Sequence, residues 1–137
     1  MANVLTDHRR RVIEAGVELS RASVELRVLR GGRTARILGQ ISDGAGSELA
    51  SAPQLREARE LGYAVARAAQ MLPWHPTCLR QAVATQRMLR RRRIPSQLEL
   101  GVSAPAPPEA HAWVTVQGEP VIGHFETDRY QSLVSFE

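Results

Sequence analysis

The sequence predicts an α+β fold, with helices first and a small antiparallel sheet after them. Before Pro95 the apolar residues recur every three or four positions, whereas after it they alternate every second position. The chain has 137 residues, of which 43% are hydrophobic. A chain of this size buries enough apolar surface for one core without disulfides or metal ions to hold it together.

The N-terminal part is expected to be helical but separate in character. Residues 8–30 mix charged and aliphatic side chains at loosely helical spacing, and Gly31 follows them. Residues 42–47 are rich in Gly and Ser and are typical of a linker. We therefore divide the chain into a helical N-terminal appendage, residues 1–46, and a core domain, residues 47–137. The appendage is shorter than a usual domain and is expected to pack on the core.

Two helices are expected next. After Pro53, one apolar stripe steps by three and four residues through Ala58, Leu61, Val65, Ala68 and Leu72. A second helix is expected to start near Thr77, a residue type that caps helix starts, and to stop before Pro95. The arginine run 90–93 is interpreted as a solvated end of this helix, where cations are favoured. A docking patch for an acidic peptide is the alternative.

The alternating segments after Pro95 predict strands. Residues 97–102 and 110–116 alternate, with a proline-rich loop at 103–108 between them. Residues 117–120 predict a turn, and 121–125 predict the next strand. A tight hairpin about Gly118-Glu119 would set His111 opposite Glu126 and Trp113 opposite His124; another turn would shift this register.

Composition excludes several classes of function. All 18 basic residues are arginine, yet the net charge is only +4 and aromatic residues make up 4% of the chain, which argues against nucleic-acid binding. The N-terminus has no secretory signal pattern, and no segment approaches the ~18 apolar residues of a transmembrane helix. Cys78 is the only cysteine. An unpaired thiol favours a reducing compartment, and we expect a cytoplasmic protein.

Cys78 and His111 are the candidates for catalysis. A cysteine in the first turn of a helix lies where unpaired N–H groups and the helix dipole stabilise a thiolate. His111, on a strand face shared with Trp113, could move the proton, and Glu126 could orient the imidazole, with Asp128 as the next candidate. Trp74 and Trp113 are candidates for substrate contact, although tryptophans more often belong to the core.

Other interpretations of these residues remain open. A single cysteine is more often a small core residue, and a single histidine on a strand is more often a bystander. His75, Cys78, His111 and His124 could also supply four zinc ligands. We do not favour a metal site, because the His-x-x-Cys half-site has no matching second pair.

Four segments together resemble a known family: residues 72–82 around Cys78, 89–95, 98–102, and 110–114 with the string His111-Ala112-Trp113-Val114. The sequence resembles the lasso-peptide maturation peptidases, the B-protein family with a transglutaminase-like core, over about residues 54–137. The resemblance implies a papain-like or transglutaminase-like fold and a cysteine peptidase that removes the leader of a ribosomally made precursor peptide. It implies Cys78 as nucleophile and His111 as general base and acid, with no cofactor.

The resemblance also implies partners. The chain looks like the split form of the family, whose leader-recognition module is a separate protein, and an ATP-dependent lasso cyclase would take the cleaved peptide. Where the family usually has an aspartate, this sequence has Gly123-His124. Glu126 is then the candidate third residue, or a Cys-His dyad acts without one. The alternative functions are a non-catalytic scaffold subunit of the same complex and a transferase that passes the acyl group to an amine.

Overall fold

Three helices and five strands make up the part of the chain that the structure describes. The structure is a computed structural model, and it describes residues 2–28, 41–42, 49–103, 109–123 and 130–136. The helices are α1 (Ala2–Val28), α2 (Ala52–Met71) and α3 (Cys78–Arg91). The strands are β1 (Ile41–Ser42), β2 (Gln97–Ser103), β3 (Ala110–Val116), β4 (Glu119–Ile122) and β5 (Tyr130–Phe136). The predicted α+β class is confirmed.

Helix α2 starts with the signals that its sequence carries. Ser51 Oγ accepts a hydrogen bond from the Gln54 N–H, and the Gln54 side chain accepts one from the Ser51 N–H, which together form a capping box. Pro53 lies in the first turn, where its missing N–H costs nothing. The predicted apolar stripe is confirmed, since four of its members are buried and Leu72 is partly buried against them: Ala58, Leu61, Val65 and Ala68.

One core joins the helices to the sheet. Ala15, Leu19 and Ala22 of α1 are fully buried in the same cluster as residues of α2, α3 and the strands. Helix α1 contacts both α2 and α3, so the N-terminal helix packs on the rest of the chain as expected. The proposed boundary at residue 46 lies outside the described residues.

Five strands form one antiparallel sheet in the order β1-β5-β2-β3-β4. Strand β5 was not predicted, and it pairs with β2 at the centre instead of following β4. The two-residue strand β1 was also not predicted; it pairs Ile41 with Phe136 at the start of what the sequence indicates as a linker. Both strands depend on pairing partners far away along the chain, which a local pattern does not reveal.

The β3–β4 hairpin differs from its predicted register. Val116 pairs with Glu119, so the turn consists of the two residues Gln117 and Gly118. Both have positive φ, 54° and 78°, as a type I′ turn requires. The prediction centred on Gly118-Glu119 is therefore wrong by one residue, because it placed the turn too late.

A bulge then shifts the pairing again between Val114 and Thr115 of β3. The extra residue brings Ile122 opposite Val114, and the described part of the strand ends at Gly123. The predicted facing partners Glu126 and His124 lie outside the described residues.

The arginine run at the end of α3 is not simply a solvated helix end, which corrects that interpretation. Arg92 Nη2 lies 2.8 Å from Glu14 Oε2 of α1, and its Nε lies 3.1 Å from Glu57 Oε1 of α2. Arg91 Nη1 lies 3.0 Å from Glu14 Oε1. These pairs join three helices at one end of α3. The hydrogen bond from Arg92, opposed by partial burial, holds the pKa of Glu14 below its ordinary value.

A second carboxylate in this cluster is buried. The Glu18 side chain is 1% exposed and forms an ion pair with Arg91, while Arg87 Nη1 and Arg21 Nη1 lie 3.9 and 3.7 Å from its oxygens. Arg87 also pairs with Glu25 further along α1. Taking a carboxylate out of water is costly, and the three arginines around Glu18 offset part of that cost where α1 contacts α3.

Candidate active site

The connection between α2 and α3 leads directly to Cys78, where α3 begins. It spans residues 72–77, and His75 within it has a φ of 45°, which is uncommon for a residue with a side chain. The His75 N–H donates to the Leu72 carbonyl. Gln81 closes the connection from the helix side, since its Nε2 donates to the Pro76 carbonyl at 2.9 Å.

Cys78 is the first residue of α3 and is half-buried against the core. Thr77 takes the predicted N-cap position with extended backbone, but its side chain makes no capping hydrogen bond. The first N–H groups of a helix have no partner within the helix. They lie beside the thiol, and the positive end of the helix dipole adds to their effect on an anion there.

His111 is the second residue of β3, and two neighbours hold its ring. Its Nε2 lies 2.7 Å from the carbonyl oxygen of Gly123. The ring also stacks on Trp113, with ring centroids 5.8 Å apart and planes inclined by 22°. Trp113 is 5% exposed, so it forms a fixed wall beside the imidazole. The predicted shared face of His111 and Trp113 is confirmed by this contact.

Topology brings the start of α3 to the same end of the sheet as His111. The short connection from α3 to β2 puts the last turn of α3 near Gln97, which pairs with Thr115 at the far end of β3. Halfway along α3, Gln86 Nε2 donates to the Phe136 carbonyl at 3.0 Å. Phe136 pairs with Leu98, and Leu98 pairs with Val114 of β3. Gln86 of α3 therefore lies at about the same height along the sheet as Val114.

Cys78 and His111 lie at similar distances from the height shared by Gln86 and Val114. Cys78 precedes Gln86 by eight residues, which is ~12 Å of helix. His111 precedes Val114 by three residues, which is ~10 Å of strand. Helix α3 packs on β3. The thiol and the imidazole therefore stand at similar heights at one end of the sheet.

The remaining candidate residues lie in different surroundings. Trp74 is 47% exposed in the connection before Cys78, where a bound peptide can reach it. Glu126, Asp128 and His124 lie outside the described residues. Among the described residues no group of three or more His, Cys, Asp and Glu side chains could hold a metal ion. The four-ligand zinc alternative includes His124 and so extends beyond them.

Sequence reasoning missed Gly123 as a partner of His111. The interaction uses a backbone carbonyl, which every residue has, so no side-chain motif marks it. The available signal was the glycine itself: Gly123 has a φ of 71°, a left-handed conformation that favours glycine. It follows β4 directly, at the end of the hairpin that carries His111.

The model of the family described as Transglutaminase-like superfamily matches residues 20–135, most of the chain. The chain belongs to the transglutaminase-like superfamily. The matched range includes the last part of α1, so the family core begins earlier than residue 54, where the sequence resemblance starts. No curated protein and no solved structure matches the chain significantly.

The superfamily generally contains cysteine peptidases, which supports that part of the sequence resemblance. No helix in the described ranges is both long and apolar enough to cross a membrane.

Proposed function

We propose that this protein is a cysteine peptidase that removes the leader segment from a ribosomally synthesised lasso precursor peptide. The observation that supports the proposal is a half-buried thiol at a helix start without a side-chain cap, at a similar height along the sheet as an oriented imidazole. The superfamily match supports the peptidase class. The lasso substrate is supported by the sequence resemblance around Cys78 and His111.

The reaction follows from the positions of these groups. Cys78 Sγ attacks the scissile carbonyl carbon while His111 takes the thiol proton. The N–H groups at the start of α3 stabilise the oxyanion that forms. His111 then gives the proton to the leaving amine, which frees the C-terminal part of the precursor and leaves a thioester on Cys78. Water, activated by His111, hydrolyses the thioester and releases the leader.

Substrate delivery involves partners in this proposal. A separate leader-recognition protein holds the leader and raises the effective concentration of the scissile bond near Cys78. Trp74, exposed in the connection that precedes Cys78, contacts the peptide, and Trp113 stacks on His111. The freed amine is then the substrate of an ATP-dependent lasso cyclase. The reaction takes place in the cytoplasm, where the Cys78 thiol stays reduced.

Mass spectrometry of a precursor peptide incubated with this protein and the recognition protein tests the function. Wild-type protein is expected to release the leader, and Cys78→Ala and His111→Ala are expected to abolish release. His8→Ala on α1 is the control for removal of a histidine, because its ring contacts Tyr63 on α2 and not the site. Intact precursor with the wild-type protein would refute the peptidase and favour the scaffold subunit. Transfer of the acyl group to an added amine, without hydrolysis, would favour the transferase.

Alkylation of Cys78 tests the thiol–imidazole pair without a peptide substrate. Because Cys78 is the only cysteine, iodoacetamide incorporation reports on this thiol alone. At pH 6 we expect faster alkylation of wild type than of His111→Ala, since His111 accepts the thiol proton in the former. Equal rates in the two proteins would contradict a functional Cys78–His111 pair.

A further inference from the structure

We propose that the backbone carbonyl of Gly123 is the positioning group of His111, in the role that a carboxylate side chain commonly has in a Cys-His-acid site. This inference deepens the proposed function and rests on it. It assigns one nitrogen of the ring to orientation and the other to proton transfer.

The hydrogen bond fixes the tautomer. A carbonyl oxygen can only accept, so His111 Nε2 must carry the hydrogen in the 2.7 Å contact with Gly123 O. A neutral imidazole has one protonated nitrogen. The proton-accepting nitrogen of neutral His111 is therefore Nδ1, and Nδ1 is the atom that takes the proton from the Cys78 thiol.

The ring is restrained in a second direction. Trp113 stacks on the imidazole at 5.8 Å and is itself buried, so it opposes rotation of the ring out of its plane. The Gly123 carbonyl opposes rotation within the plane, because the Nε2–H bond weakens steeply as it bends. Together, an edge contact and a face contact define one orientation of His111.

Only glycine lets the chain at position 123 come this close. An added Cβ would lie 2.8 Å from the Ala112 carbonyl oxygen and 3.1 Å from Trp113 Cβ. The φ of 71° adds backbone strain for any other residue. A side chain at this position would push the strand end away from β3 and carry the carbonyl away from His111. Gly123 is thus required for the same contact that orients the base.

A carbonyl orients the ring without a full negative charge, and this separates it from the Glu126 hypothesis. If Gly123 sets the tautomer, Glu126→Ala keeps the Nε2–H form of His111. If Glu126 sets it, that variant removes the acceptor and the preference for one tautomer is lost. The two residues therefore give opposite expectations for one measurement.

Nitrogen-15 NMR of the His111 ring in the full-length wild-type protein tests the bond directly. We expect the neutral ring to show the Nε2–H tautomer in wild type and in Glu126→Ala. An Nδ1–H tautomer in wild type would overturn the proposal, and so would loss of the Nε2–H form in Glu126→Ala. Because the spectrum needs no peptide, it separates this inference from the peptidase function: failure of leader release alongside an Nε2–H tautomer refutes only the latter.

Gly123→Ala tests the consequence for rate, with Gly118→Ala as its matched control. Gly118 lies in the turn of the same hairpin with a φ of 78°, and an added Cβ there meets nothing within 4 Å. Both variants carry similar backbone strain, but only Gly123→Ala displaces the carbonyl from His111. We expect leader release to fall by roughly 10- to 100-fold in Gly123→Ala and by less than about threefold in Gly118→Ala, since general-base catalysis contributes ~10²–10⁴-fold. Equal rates in the two variants would overturn the proposal, and if Gly123→Ala fails to fold, the wild-type spectrum still decides it.

Discussion

Replacing Gly62 with alanine is expected to force α2 away from β4. An added Cβ at Gly62 would overlap the carbonyl oxygen of Val121 and lie 2.8 Å from its carbonyl carbon. Both are backbone atoms, so no rotamer change relieves the contact. Carbon atoms in ordinary contact are ~3.5–4 Å apart, so helix and strand must separate by about 1 Å. Overpacking of this kind costs ~1–3 kcal/mol, and we expect about 3 kcal/mol because the contact is rigid on both sides.

Gly16→Ala is the matched control, since Gly16 is also inside a helix and an added Cβ there meets nothing within 4 Å. Alanine is favoured over glycine in a helix interior by ~0.5–1 kcal/mol, a gain that both variants share. Urea unfolding followed by circular dichroism should show Gly16→Ala slightly more stable than wild type and Gly62→Ala clearly less stable. The melting temperature of Gly62→Ala should fall by roughly 10 °C. Equal stability of Gly62→Ala and Gly16→Ala would refute the close packing of α2 on β4.

Three further predictions concern charge, a buried hydrogen bond and the exposed tryptophan. Arg92 holds the pKa of Glu14 below its ordinary 4.5, so the folded state binds fewer protons at Glu14 than the unfolded state does. The pairing of Glu14 with Arg92 therefore stabilises the fold above pH ~4.5, and this stabilisation is lost as the pH falls through the lowered pKa. Urea unfolding should therefore show a larger loss of unfolding free energy from pH 7 to pH 3 for wild type than for Glu14→Gln. Equal losses would contradict the pairing of Glu14 with Arg92. Gln86→Met removes the donor to the Phe136 carbonyl and should lower the free energy of unfolding by ~1–3 kcal/mol; a change below ~0.5 kcal/mol would contradict the bond. Trp74→Ala should change stability by less than ~0.5 kcal/mol, because the ring is 47% exposed, while raising KM for leader release; an unchanged KM would remove Trp74 from the substrate path.

The helices could be predicted because their determinants are local. Residues close together in the sequence determine the apolar stripe of α2, the cap at Ser51 and the end of α3 before Pro95. Strands β2 and β3 could likewise be predicted, because apolar residues alternate with other residues along them. Strand β5 was not, since its place between β1 and β2 depends on pairing with residues of β2 that lie far earlier in the chain, as Leu98 does from Phe136.

In the candidate site, too, the features set by local sequence could be predicted and those set by strand pairing could not. Cys78 at a helix start and His111 on the Trp113 face follow from local spacing. The partner of the imidazole does not, because it depends on the turn at Gln117-Gly118 and on the bulge in β4. A turn placed one residue too late moves every facing pair of the hairpin, so local spacing could not show that Gly123 lies at His111. Glu126 lies outside the described residues and stays a prediction.

Residues remote from the thiol also determine where it lies. Helix α3 is fixed at its last turn by Arg91 and Arg92, which bind glutamates of α1 and α2. It is fixed midway by Gln86, which binds the strand that pairs with β2. A rigid helix held at two levels carries its first residue to a defined height, so these contacts position Cys78 although none of them touches it. The arginine run thus contributes to the site as a structural anchor, through the same ion pairs that join α1 to the core.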